Sequence, residues 1–424
     1  MFIKKVIPRI IKDSRGEKTL EVEIETYKGK FRAGAPSGKS TGKHETPVYH
    51  SRGIDYSMKI LRVFSQKVRN MNFMIKDFYG LKEFEVLLRK FEQKYGKFGA
   101  NATYVLETAF LKAAAKENNK ELWEFVLDRE DENRFSKSKI KEKIKIPMPV
   151  GNCIGGGLHT NVKRGQIKPE FQEFLLIPNE KTFATAVTKM HHVYMAVRQV
   201  LRLKYRRLKL KRNDENAWQA PLNNQEVLEL LKKIAESYKV RIGLDVAASS
   251  FWDGTYYKYH HNNLLRTSDE QIDYMQRLVE KFKLFYIEDP LQEEDFVGFA
   301  QINAYVNKLN KKPKPKTTNA LIVGDDLTVT NITRLKRAIR DKSINALIVK
   351  PNQNGYMIEV AKVVDFCKKN KIKIIFSHRS GETLDHALAD YAVGFQADYI
   401  KTGISGRERL VKLARIMQIE KSLK

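Results

Sequence analysis

The feature that most constrains this chain is a series of short apolar segments, each closing on an ionisable side chain. RIGLD ends on Asp245, LFYIE on Glu288, ALIVGD on Asp325, ALIVK on Lys350, IIFSH on His378 and DYIK on Lys401. Helical stretches separate them, and alternating β and α segments build a parallel sheet. With IKIPMPV and FQEFLLIP upstream, eight or so units over about 280 residues fit a β/α barrel better than an open sheet. The carboxyl ends of barrel strands converge on one face, where active sites sit.

A single Asp after a strand is ordinarily the N-cap of the next helix. Six such positions, in the order acid, acid, acid, Lys, His-Arg, Lys, are not explained as caps. Lysine does not cap a helix N-terminus, and the macrodipole disfavours a cation there by about 0.3–1 kcal/mol. Asp245, Glu288 and Asp325 offer three hard oxygen donors, the set that suits Mg²⁺. No Cys/His group has zinc spacing. Lys350, Lys401 and Arg379 beside such an ion make an anion trap. A lysine among cations is expected to have a lowered pKa and to serve as a base. Removing a proton alpha to a carboxylate needs that base together with an ion to stabilise the dianion. His159 follows Gly155-Gly156-Gly157-Leu158 at the end of a strand-like segment. Glu173 (QEFLLIP) and Glu215 (NDENAWQAP), each taken alone, read as surface residues.

The first third has a different texture. Leu20, Val22 and Ile24 alternate with glutamates, Tyr27-Lys28-Gly29-Lys30 supplies a turn, and the chain returns from Phe31 to Ala35, a hairpin. Helical patterns follow, including Ala102–Lys116, and the polar stretch Asp128–Lys143 reads as a linker. Two domains are expected, an α+β unit over 1–130 and a barrel over 143–424. Gly34-Ala35-Pro36-Ser37-Gly38-Lys39-Ser40-Thr41-Gly42 is one residue short of a P-loop and follows a hairpin, so an ATPase is rejected in favour of a mobile loop that closes over a charged ligand.

No apolar run approaches the roughly 18 residues of a spanning helix, the first residues lack a signal-peptide core, and two cysteines suit a reducing cytoplasm. The net charge of +28 is unusual. It reads either as a solvated lysine-rich surface or as a field for polyanions such as nucleic acid.

The motifs APSGKSTGKHE, QEFLLIP, IGLDVAAS, IEDP, VGDDLTVTN, VKPNQNG and SHRSGET, in that order, resemble the enolase family nearly end to end. The resemblance implies a β3α4 domain, a barrel with an irregular start, a cytoplasmic homodimer or larger ring, and Mg²⁺-dependent interconversion of 2-phosphoglycerate and phosphoenolpyruvate in glycolysis and gluconeogenesis. It implies Lys350 as the base at C2, Glu215 paired with Glu173 as the acid, and Asp245, Glu288 and Asp325 on a first Mg²⁺. Ser40 would hold a second Mg²⁺ with the phosphate. Arg379 and Ser380 would bind phosphate, Lys401 the carboxylate region, with His159 near the leaving hydroxyl and His378 beside the loop.

Departures stand beside these matches. The family's GDEGG is Asn213-Asp214-Glu215-Asn216-Ala217 here, so any positive φ or close approach would be strained. Lys39 replaces a small residue, Ser250 stands where glutamate is common, and the loop after His159 is long and basic (Lys163, Arg164, Lys168). An alternative is an enolase-like paralogue without dehydratase activity that binds nucleic acid or another polyanion, motivated by the charge and by Arg198–Arg212, with eight basic residues among fifteen. A relative of the muconate cycloisomerase or mandelate racemase type is a third reading, opposed by SHRSGET.

Overall fold

The computed structural model describes residues 1–39, 42–130, 144–160, 167–206, 209–311 and 319–424. Strands β1 (Lys5–Lys12), β2 (Lys18–Thr26) and β3 (Gly29–Gly34) form an antiparallel sheet. The expected hairpin is β2–β3, with Leu20, Val22 and Ile24 fully buried. The reading missed β1. Its KVIPRIIK pattern does not alternate cleanly and carries Pro8, which a strand tolerates at a sheet edge. Helices Ile54–Val68, Leu81–Tyr95, Ala100–Glu117 and Leu122–Leu127 complete this unit. Ala100–Glu117 is almost wholly buried, with its alanines allowing close approach to β2 and β3.

The start of the expected linker is folded. Residues Asp128–Glu130 form a 3₁₀ turn, and Arg129 donates to the carbonyls of Val126 and Gly394. The rest of that segment lies outside the described residues.

The barrel strands are β4 (Met148–Gly155), β5 (Glu173–Ile177), β7 (Arg241–Asp245), β10 (Tyr286–Glu288), β11 (Leu321–Gly324), β12 (Ala346–Val349), β13 (Lys373–Ser377) and β14 (Tyr399–Lys401). They are hydrogen-bonded in that order, and β14 pairs with β4 to close the ring. The short β6 (Trp218–Gln219) adds to β4, and β8 (Tyr257–Tyr259) with β9 (Leu264–Arg266) forms a separate ribbon. Val150, Leu175, Val323, Ile348 and Ile375 form one core cluster, while their strand neighbours Leu176, Ile322, Leu347, Phe376 and Ile400 pack with the helices. This is the two-faced alternation of a strand.

One strand departs from a uniform parallel sheet. β5 is antiparallel to both β4 and β7. Its first residue, Glu173, therefore lies at the same end of the barrel as the last residues of the parallel strands. The register pairs Glu173 with Asp245, and Asp245 with Glu288.

Candidate active site

Register brings Glu173, Asp245 and Glu288 side by side on three adjacent strands, and the lysine that ends β14 reaches into the row. Lys401 Nζ donates to Asp245 Oδ2 at 2.9 Å and to both Glu288 oxygens at 2.9 and 3.0 Å, and lies 3.2 Å from Glu173. Burial pulls this ammonium down, but the acidic groups around it, Asp245 foremost, outweigh it and hold it well above the usual lysine range. Glu288 also accepts the Tyr286 hydroxyl at 2.6 Å. Burial, with the charge of Asp245 adding, pushes Glu288 up to about 8.

Lys350 follows β12 and occupies the N-cap of the short helix Pro351–Asn354 without capping it. Its ammonium pairs with Asp325, beyond β11. The expectation of a lowered pKa is reversed. Burial lowers Lys350, but Asp325 raises it further, and the same pairing holds Asp325 below the carboxylate range against its own burial. The reading assumed an adjacent ion. With the carboxylate bound to the lysine itself, the charged form of both is favoured.

The support of this pair was not foreseen. Val329 and Thr330 take φ of 44° and 51°, a left-handed conformation that β-branched residues adopt only under constraint. The fully buried Thr330 hydroxyl accepts the Lys350 amide at 3.0 Å and donates to Gln353, whose Nε2 donates to Asp325 at 3.2 Å. In sequence this was only VGDDLTVTN and VKPNQNG, with nothing to say that they meet.

Glu173 and Glu215, surface residues when read alone, are each 2% exposed. They approach one another beside His159, the three side chains placing ligand atoms within 4.8 Å. Burial and the neighbouring Glu215 charge keep Glu173 protonated, well above the carboxyl range. Burial opposes ionisation of Glu215 too, but a net pull carries it well below that range. Positive charge on His159 or His378 would pull the same way, yet burial lowers both imidazoles. The Asn152 amide at 3.1 Å, Arg409 and the proton on Glu173 therefore carry the effect. Within the pair, Glu173 is the member that favours the proton.

The replaced glycines are accommodated. Asn216 adopts φ 64°, a left-handed position that asparagine tolerates better than most residues. Asn213 Oδ1 accepts the amides of Glu215 and Ala217 at 3.0 and 2.9 Å, and Tyr194 donates to the Asn216 carbonyl at 2.6 Å. This turn keeps Glu215 aimed into the cleft.

Arg379 and Ser380 follow β13. Arg379 is buried and held by Glu45 at 3.0 and 3.1 Å, a residue of the glycine-rich segment. Arg15 donates to Ser380 Oγ and Ser37 Oγ at 3.0 Å each, so the small domain completes this corner. Gly38 lies over Arg379, where a Cβ would meet a guanidinium nitrogen at 2.1 Å. Lys39 pairs with Asp214 at 2.9 Å, tying the loop to the Glu215 segment. Ser40 lies outside the described residues. Lys168 is not a free cation; it donates to the carbonyls of Gly157 and Thr160 at 2.6 and 2.8 Å and braces the glycine turn before His159. Lys163 and Arg164 are outside the described residues.

These groups line one cavity of about 20 Å³, room for about one water. Among the described residues, His159 Nδ1, His378 Nδ1 and Gln172 Oε1 are buried there without hydrogen-bond partners, as is Asn152 Oδ1 beside Glu215. Orphaned polar atoms concentrated in one place mark a ligand site. The expected metal set is not drawn together alone: Asp245 and Glu288 surround Lys401, whereas Asp325 holds Lys350. A second acidic group, Asp289, Asp325 and Asp326, lies nearby. Asp289 has both oxygens engaged by the amides of Asp325 and Asp326, so it serves the turn. The oxygen donors around Lys401 and Lys350 fit a hard divalent cation, their charge being neutralised by ammonium groups. Sequence reasoning had also passed over Asn152, Gln172, Glu45 and Arg15.

Two family models match the chain: "Enolase, N-terminal domain" over residues 3–126 and "Enolase, C-terminal TIM barrel domain" over 143–424. Among curated relatives, the enolase of Methanosphaera stadtmanae is 34% identical, covering 99% of this chain and 97% of that protein. The enolase of Methanothermobacter thermautotrophicus is 33% identical over 100% and 97%. That of Archaeoglobus fulgidus is 34% identical over 99% and 97%.

Proposed function

Because the chain belongs to the enolase family and is a lyase, we propose that it catalyses the reversible dehydration of 2-phosphoglycerate to phosphoenolpyruvate with Mg²⁺ as cofactor. The observation that carries this is the placing of base and acid. Lys350 directly follows β12 and Glu173 begins β5, strands with three others between them whichever way the ring is followed. They therefore address a bound molecule from opposite sides.

Lys350 takes the C2 proton on its Nζ. On the other side Glu173, the member of the carboxyl pair that carries a proton, supplies it through Glu215 to the C3 hydroxyl, which leaves as water. His159, kept neutral by burial, stands beside this pair. Arg379 and Ser380 bind the phosphate, and Lys401 holds the carboxylate. Asp245, Glu288 and Asp325 would hold Mg²⁺, with Ser40 as a ligand to a second ion, and the bound metal would supply positive charge to stabilise the carboxylate dianion. Lys350, once Asp325 is engaged elsewhere, loses the partner that keeps it protonated and becomes a base. The cavity is too small for substrate, so the segment with Gly38 and Lys39 opens to admit it.

A non-phosphorylated acid as substrate is disfavoured by the buried Arg379 and its escort. A paralogue without activity is disfavoured by the turn that aims Glu215. The test is the rise in ultraviolet absorbance of the conjugated product when 2-phosphoglycerate and Mg²⁺ are added, with a chelator control. A folded, Mg²⁺-binding protein that gives no signal overturns the reading.

A further inference from the structure

A concavity far larger than the catalytic one lies elsewhere on the barrel. A groove of about 870 Å³ opens at the end of helix Phe183–Lys204, walled by Arg198, Arg202, Arg206, Lys209 and Arg212, with Trp218 at its base. No carboxylate lines it, and among the described residues none of the five cations has an ion-pair partner. A helix C-terminus favours nearby cations, which accounts for Arg202. It does not account for Arg206, Lys209 and Arg212, which lie beyond the helix, or for Arg198, more than a turn from its end.

The base of the groove is rigid. Trp218 stacks on Tyr194 with centroids 4.8 Å apart and donates to the Tyr194 carbonyl at 3.0 Å. The guanidiniums of Arg212 and Arg198 lie 4.9 and 5.8 Å from the indole. Holding unpaired like charges together costs free energy that an anion would recover.

We propose that this groove is an accessory binding site for a small molecule carrying a run of adjacent phosphates, of the inorganic polyphosphate or nucleoside triphosphate class. Its volume lies in the range of small-molecule pockets, and five cations in one concavity match several phosphate charges. A single nucleic-acid strand fits less well. Readers of such strands offer aromatic faces for bases to stack on, and Trp218 is covered by guanidiniums and 3% exposed. A second copy presenting the same basic face would be repelled. The site is separate from the catalytic cleft and does not depend on the reaction assigned to it.

The test is calorimetric titration of the full-length protein with inorganic tripolyphosphate. Because Arg379 also binds phosphate, it is repeated with Arg379→Ala. Binding is expected to survive Arg379→Ala, to weaken steeply between about 50 and about 200 mM salt, and to weaken about tenfold or more in Arg202→Glu/Arg206→Glu. Arg202→Gln/Arg206→Gln, a milder change at the same exposed positions, should lose less, and both double variants should keep wild-type turnover. Loss of binding in Arg379→Ala, unchanged binding in the charge-reversed variant, or a flat salt response would each overturn the proposal. So would an oligonucleotide that binds the groove more tightly than tripolyphosphate does.

Discussion

Glu173 and Asp245 face each other across antiparallel strands, one the first residue of β5 and the other the last of β7. That register sets the two carboxyl groups side by side, with the Lys401 ammonium within 3.2 Å of both. Glu173→Gln keeps the size and a hydrogen-bond donor but cannot pass a proton. Turnover should fall by a factor of about 10²–10⁴, the usual worth of general acid–base catalysis, with little change in melting temperature. Rapid-mixing rates of product formation check this.

Lys350→Ala should abolish turnover while leaving metal-dependent substrate binding in place. Near wild-type rates would remove Lys350 from the role of base. Loss of the ammonium also leaves Asp325 buried without its cation, so a lower melting temperature is expected in the metal-free protein.

The metal-free protein should show a pH-dependent stability that traces to Glu288. Its folded pKa, about 8, lies above the ordinary 4.5. A raised carboxyl pKa means that the folded state binds the proton more tightly. Its stabilising contribution is therefore complete below about pH 4.5 and is lost as pH rises towards 8. Thermal unfolding in chelator across that window should show the decline, and Glu288→Gln should flatten it. Near pH 7, Mg²⁺ binding should release protons, seen as a binding heat that changes with the buffer used.

Asp325→Asn should weaken Mg²⁺ binding, because two remaining carboxylates make a poor site. Equilibrium titration with the ion reads this directly. Unchanged affinity would refute the ligand assignment.

Gly38→Ala puts a methyl group 2.1 Å from an Arg379 nitrogen. The guanidinium must shift, loosening its bond to Glu45. A rise in KM on the order of tenfold is expected, the value of one charge-assisted hydrogen bond of about 1.5 kcal/mol. Melting temperature should change little, since the clash is with the end of a flexible chain.

Asn216→Ala should cost about 1 kcal/mol of stability, because alanine pays for the left-handed backbone without the short polar side chain that eases it. Asn216→Gly should be neutral or stabilising. Denaturant midpoints compare the two.

The local pattern of residues was enough to show β/α alternation, the hairpin of the small domain and an ionisable residue closing six of the strands, because these depend on side-chain period and on chain neighbours. The motifs also carried the family. What only the tertiary structure decided concerns partners far apart in the chain. β5 runs backwards, and no pattern within EFLLI reveals strand direction, since alternation is the same read either way. Glu173 and Glu215 are individually ordinary glutamates; their burial, and the proton on one of them, arise from being placed together. The charge on Lys350 depends on Asp325, and the strained turn at Val329 and Thr330 that holds the two exists only because the surrounding barrel compensates its cost. The cations of Arg198–Arg212 were visible in sequence as a run; their arrangement around a single concavity followed from a helix ending and the chain turning back over Trp218.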